Sequence, residues 1–164
     1  MKVMFNKTKI KAWIKKAHKD RQLAYGHGYI TNGHILLIEE QHMQPTILEV
    51  YGTLNPECRY SAELFREMMD LPKEHVEVID SQLEYAPDPK YKLRIFYDPT
   101  TGKELTIDGK YFDLINDPKA FRFYTNNSMD RIWITYGNEV VGLIGPVRLQ
   151  EQLSHIKFKA EEDS

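Results

Sequence analysis

A cluster of lysines near the N-terminus is the most distinctive chemical feature of the sequence. Residues 1–21 hold eight of the 22 Lys and Arg residues and one acid, Asp20, so this segment carries a net charge of +7. Because the whole chain has a formal net charge of −2, the remaining 143 residues sum to −9. Such an asymmetry indicates either a surface for a polyanion on an acidic protein or a solvated lysine face that maintains solubility.

Histidines are the other residue type that could bind a ligand directly. Two of the six, His27 and His34, flank a predicted hairpin. No HExxH motif, Cys/His cluster or carboxylate-rich loop accompanies them, so exposed strand residues are favoured over metal ligands. We therefore expect no metal and no cofactor.

Nucleophilic and base-stacking chemistry has only weak candidates in the sequence. Cys58 and Ser61 are the candidate nucleophiles, but the sequence pairs neither with a base, and Ser61 is better explained as a helix N-cap. Some of the ten tyrosines could stack on single-stranded bases, although tyrosine is also simply favoured in strands. With no recognisable catalytic constellation, we expect a binding protein and not an enzyme.

Composition sets the class of protein. At 164 residues, with 41% hydrophobic and 28% charged residues, the chain suits one globular domain. No apolar run approaches the roughly 20 residues that span a bilayer, and the N-terminus lacks a secretory signal pattern. The single cysteine fits a reducing compartment. These features predict a cytoplasmic protein with no membrane partner.

The lysines belong to a predicted amphipathic helix over residues 7–19, preceded by a short strand over residues 1–5 and the cap Asn6. Its apolar residues recur at i, i+3, i+4 and i+7, namely Ile10, Trp13, Ile14 and Ala17. At 100° per residue the opposite face collects Lys11, Lys15, Lys16 and Lys19.

The rest of the chain is predicted to form mainly strands. An Asn32-Gly33 turn of type I′ joins strands over 23–30 and 34–40. Further strands are predicted over 46–54, 76–79, 93–97, 104–107, 120–125, 131–136 and 139–143, with short helices over 61–71 and 109–116. Residues 86–89 (Ala-Pro-Asp-Pro) predict a stiff connector.

The order strand, helix, strand, strand occurs twice, in residues 1–40 and again in 104–149. It predicts an α+β fold of two βαββ(β) halves with antiparallel sheets, with the helices near 7–19 and 109–116 on one side. The halves would occupy about 1–85 and 90–149 of one domain. A C-terminal tail over 150–164 is first weakly helical, with Leu153 and Ile156, and then acidic.

Four segments of the second half carry a resemblance to a known family: IDGKYFDLI at 107–115, FRF at 121–123, IWI at 132–134 and VVGLIGPVRL at 140–149. In this order they resemble the last half-domain of bacterial DNA polymerase sliding clamps, where a strand precedes a helix and the fold closes with Pro-hydrophobic-Arg-Leu. Residues 7–19 and YITNGH at 29–34 match the first half more loosely, and residues 50–90 are unmatched.

The resemblance implies a DNA-clamp-like fold whose helices touch DNA phosphates without reading bases. The basic residues at matching positions are Lys7, Lys11, Lys15, Lys16, Lys19 and Arg21. It also implies a pocket for short replication-protein peptides near Pro146, Val147, Arg148 and Leu149. Two features depart from the family: Lys110 is the only basic residue of the second helix, and 15 residues follow Leu149. Because the chain has room for one domain of the family's three, a ring would require a homo-oligomer of six copies; the sequence is equally consistent with a smaller assembly or with none.

The leading hypothesis is a non-catalytic, sliding-clamp-like module that contacts the backbone of double-stranded DNA, or replication proteins, independently of base sequence. The runner-up is a protein-interaction or regulatory domain that reuses the fold without binding DNA. A small hydrolase with residues around His27 and His34 is the third.

Overall fold

The computed structural model describes residues 3–89 and 91–145, which form an α+β fold around an antiparallel sheet. The helices are α1 (Lys7–Lys19), α2 (Gln44–Tyr51), α3 (Ala62–Met69) and α4 (Gly109–Phe112), with 3-10 turns at Gln41–Met43 and Pro118–Ala120. The strands are β1 (Ala24–Gly26), β2 (Tyr29–Thr31), β3 (Ile35–Ile38), β4 (His75–Asp88), β5 (Tyr91–Tyr97), β6 (Glu104–Asp108), β7 (Arg122–Asn126), β8 (Ile132–Tyr136) and β9 (Glu139–Ile144). None of these helices is long and apolar enough to cross a membrane.

The nine strands are ordered β1-β2-β3-β9-β8-β7-β4-β5-β6, and every neighbouring pair is antiparallel. The long strand β4 joins two parts of the sheet, because its first residues pair with β7 and its later residues with β5. Its register shifts between Asp80 and Glu84, where Gln82 has a φ of 63°. This irregularity allows one strand to serve both parts of the sheet.

The hydrophobic core lies in two clusters on opposite faces of the sheet. Along β8 the side chains alternate, with Ile132 and Ile134 in the larger cluster and Trp133 in the smaller. The larger cluster contains side chains from α1, α2 and α4, whereas α3 packs into the smaller one. The helices near 7–19 and 109–116 therefore share one side of the sheet, as expected.

Several predicted elements are confirmed. The helix over 7–19 has the predicted bounds, and Ser61 Oγ accepts from Leu64 N at 3.1 Å to begin α3. The hairpin of β5 and β6 and the three C-terminal strands lie within two residues of their predicted positions. These elements have strong local signals in the form of caps, turns and regular apolar spacing.

The strand predicted over 46–54 is wrong, because this segment forms helix α2. Pro45 lies in its first turn, and Gly52 ends it with a left-handed φ of 75°. The buried Met43 and Ile47 and the partly buried Val50 recur at i, i+4 and i+7, which is a helical period. Tertiary packing of this stripe outweighs the strand preference of the β-branched residues.

Other boundaries differ from prediction. The strand predicted over 23–30 is interrupted by a turn at His27-Gly28, and Phe5 forms only an isolated bridge to Ile115. The helix predicted over 109–116 ends at Phe112, and α3 ends at Met69 and not at residue 71. The connector predicted over 86–89 belongs largely to β4, which pairs with β5 as far as Asp88.

Candidate nucleic-acid interface

Helix α1 is held by its cap and its apolar stripe, which leaves its basic side chains outside. Asn6 Oδ1 accepts from Lys9 N at 3.0 Å, satisfying one of the free N–H groups of the first turn. On the core side, Ile10 and Ile14 are at most 1% exposed. The helix contains six lysines and no acid.

All six predicted DNA-binding residues are exposed: Lys7, Lys11, Lys15, Lys16, Lys19 and Arg21. Two of them form ion pairs, Lys15 Nζ with Glu49 Oε1 at 3.2 Å and Lys16 Nζ with Asp20 Oδ2 at 2.9 Å. Among the described residues, no carboxylate forms an ion pair with the other four. Lys9, which the prediction left out, is also exposed. Since exposed pairs contribute about 0–1 kcal/mol, Lys15 and Lys16 can also exchange their partners for another anion.

A cavity of about 660 Å³ lies beside α1, between this helix, the loop after β2 and the β6–α4 junction. Its apolar lining comes from Trp13, Ala17, Leu93, Ile107 and Tyr111. Lys16 and Lys110 line it as well, each paired with its own carboxylate, Asp20 and Asp108, at 2.9 and 3.4 Å. The two lysines are thus balanced by two acids.

Asn32 connects two segments that line the cavity, the loop after β2 and helix α4. Its Nδ2 donates to Tyr111 Oη at 3.0 Å, while its Oδ1 accepts from His34 N at 2.9 Å and Ile35 N at 3.1 Å. The His34 ring stacks on that of Tyr111, with the centroids 6.4 Å apart. Burial, and then the positive charge of Lys110, lowers the pKa of His34 below its usual value.

Trp13 introduces an unsatisfied donor beside this cavity. Its Nε1 is buried and has no hydrogen-bond partner among the described residues. A buried indole N–H normally donates to an acceptor, and each exception calls for an explanation. Because this Nε1 is closed to solvent, it is an unsatisfied donor inside the wall of the cavity and not a contact point on its surface.

The sequence predicted an outward-facing lysine surface on α1 but did not predict this cavity. It predicted Trp13 as a core residue and Lys110 as the sole basic residue of the second helix. The cavity exists because residues 13–22 and 106–111 meet in the fold, which no local spacing reveals. The predicted peptide-binding residues Pro146, Val147, Arg148 and Leu149 lie outside the described residues.

The two hairpin histidines lie in different surroundings. The ring of His27 faces Phe65 with centroids 6.3 Å apart, whereas His34 stacks on Tyr111. Within residues 3–89 and 91–145, no group of three His, Cys, Asp or Glu side chains could hold a metal ion.

Comparison of the chain with protein-family models gave no match, and comparisons with curated proteins and with solved structures gave none either. The resemblance to sliding clamps therefore depends on the sequence segments alone.

Proposed function

We propose that this protein is a non-catalytic module that binds the backbone of double-stranded DNA through the exposed lysines of α1. The observation that carries the proposal is a 13-residue helix with six lysines and no acid, anchored by its other face. Its basic side chains can therefore turn towards a polyanion without any loss of core packing.

The dimensions of α1 suit contact with a duplex. At 1.5 Å per residue the helix is about 20 Å long, which corresponds to roughly six base pairs of DNA. Lysine ammonium groups contact phosphates as point charges and release condensed counterions. Such contacts position a protein on DNA and carry no base sequence information directly. We expect weak, sequence-independent binding that permits movement along the duplex.

The fold supports the further proposal of a clamp-like arrangement of two halves. Phe5, before α1, bridges to Ile115, after α4, so the strand segment of the first predicted unit meets the segment that follows the helix of the second. Both helices pack in the same core cluster, and an antiparallel set of strands follows each of them. Because α4 has a single turn with Lys110, α1 would supply most of the phosphate contacts.

The test is the salt dependence of binding to a random-sequence duplex, measured by fluorescence anisotropy. Replacing Lys7, Lys11 and Lys19 with glutamine removes three charges that have no described ion-pair partner. The slope of log affinity against log salt should fall by about 0.9 for each phosphate that the variant no longer neutralises. Glutamine and lysine have similar helix propensities, so the stability of α1 should change little.

A matched control replaces three exposed lysines away from α1 with glutamine: Lys73, Lys103 and Lys119. This variant has the same net charge as the helix variant but should keep the wild-type slope. Absence of binding at low salt, or equal losses of affinity in both variants, would contradict a specific role for α1.

A protein partner is the second candidate, favoured by apolar groups on the β4–β5 hairpin. Leu83 is 62% exposed and Tyr85 is 58% exposed, on a strand whose neighbouring residues are also exposed. Large exposed apolar groups that lie close together are typical of protein interaction sites. If the wild-type protein does not bind DNA, binding of a protein partner at the β4–β5 hairpin becomes the proposed function.

A further inference from the structure

The described chain ends at the cavity beside α1. Gly145 lines this cavity, and its N–H donates to the carbonyl oxygen of His34 at 2.9 Å. Residues 146–164 therefore follow directly from the rim of a pocket that has an apolar lining and two lysines, each paired with a carboxylate.

The sequence of that segment complements the pocket and the helix beside it. Its apolar residues are spaced along its length, and it ends in a run of acids: Leu149, Leu153, Ile156 and Phe158, then Glu161, Glu162 and Asp163. The first three apolar residues are spaced i, i+4 and i+7, as on one face of a helix. The acidic run is opposite in charge to α1, while Arg148, Lys157 and Lys159 leave residues 146–164 as a whole with a net charge of −1.

We propose that residues 146–164 bind the cavity of their own chain with their apolar side chains and cover lysines of α1 with their acidic end. The segment would then be an internal competitor of DNA phosphates, a consequence that rests on the function proposed above.

The length of the segment permits this contact. Glu161 lies 16 positions after Gly145, and even with residues 149–156 helical at 1.5 Å per residue and the remainder extended at about 3.3 Å, the chain can span roughly 40 Å. Helix α1 is only about 20 Å long. The acidic run can therefore reach any lysine of the helix.

Zero-length carbodiimide crosslinking of the wild-type full chain, read by mass spectrometry, tests the contact without DNA. Glu161, Glu162 or Asp163 should crosslink to lysines of α1 or to Lys110. Exposed lysines that do not line the cavity, such as Lys73 and Lys103, should react with the acidic run far less. Crosslinks spread evenly over all exposed lysines, or none to α1, would overturn the proposal.

Two variants separate the apolar contact from simple charge attraction. Replacing Leu153 and Ile156 with serine should abolish the crosslinks to α1. The same change at Gln150 and Gln152 should leave them intact. A mixture of isotopically labelled and unlabelled protein distinguishes crosslinks within one chain from crosslinks between two copies. If most crosslinks between the acidic run and α1 joined two copies, the proposed contact within one chain would be overturned.

The DNA arm of the test uses the variant Glu161→Gln, Glu162→Gln, Asp163→Asn. A segment that occupies the site nine-tenths of the time lowers apparent DNA affinity about tenfold, so this variant should bind up to about tenfold more tightly. Unchanged affinity in a protein that binds DNA would overturn the competition. If neither protein binds DNA, the proposed function fails, while the crosslinks still decide whether the segment docks.

Discussion

At the scale of single residues, Asn32 shows how one side chain connects distant parts of the fold. The Asn32-Gly33 pair predicted a type I′ turn in which both residues have positive φ. Of the two, only Gly33 does, with a φ of 92°, so this rationale is wrong. Asn32 instead acts through its buried amide, which bonds to the backbone of the turn and to Tyr111, 79 positions away. A turn motif can thus predict the position of a loop without predicting its chemistry.

We expect Asn32→Ala to lower the free energy of unfolding by about 2–4 kcal/mol. The change leaves the backbone N–H groups of His34 and Ile35 without their acceptor, and an unsatisfied buried donor costs about 1–3 kcal/mol. Chemical denaturation measures the effect. Tyr111→Phe keeps both backbone bonds to Asn32 Oδ1 but leaves the buried Asn32 Nδ2 without its acceptor and removes the contact of the hydroxyl with Lys110, so it should cost less, about 1–2 kcal/mol. Equal losses of stability in the two variants would show that the acceptor bonds contribute little.

At the scale of elements, α1 and α2 show where local sequence suffices. Helix α1 was predicted with its bounds because cap, apolar stripe and lysine face agree. Helix α2 was missed because its β-branched residues favoured a strand, although Pro45 and Gly52 are typical of the start and end of a helix. The unpredicted continuation of β4 past residue 79 depends on pairing with β5, a contact that is absent from local patterns.

The end of α2 gives a prediction at this scale. Gly52 has a left-handed φ of 75°, and no atom lies within 4 Å of a Cβ built there. Gly52→Ala should therefore lower the free energy of unfolding by about 1 kcal/mol through backbone strain alone. Gly52→Asn should cost less, because asparagine tolerates this conformation better. Thermal or chemical denaturation of the two variants compares them, and a larger loss of stability for asparagine would contradict this account.

At the scale of the whole molecule, the α+β class with its antiparallel sheet was predictable but the cavity was not. The antiparallel arrangement and the α+β class follow from alternating strands and tight turns along the sequence. The cavity requires the loop after β2, the β6–α4 junction and α1 to meet, and these contacts span up to about 100 positions. Packing between such distant segments depends on the whole fold, so no periodic pattern in the local sequence predicts it.

The sheet itself leads to the last prediction, which is self-association through its edges. Within the described residues, β1 and β6 each have a neighbour on one side only. An unpaired edge offers backbone N–H and C=O groups to a second copy, and a net charge of −2 provides little repulsion. Light scattering over a concentration series should therefore show an increasing average mass.

The exposed Thr106 in β6 allows this edge to be tested directly. Thr106→Lys places a charge on the edge and should reduce association, because charged side chains are a common way of blocking edge pairing. Thr100→Lys adds the same charge in the loop before β6 and serves as the matched control. Equal association of the two variants would place the contact elsewhere on the surface. A strict monomer at high concentration would exclude a ring of identical copies, yet it would leave contact between α1 and DNA open, since that contact requires only one chain.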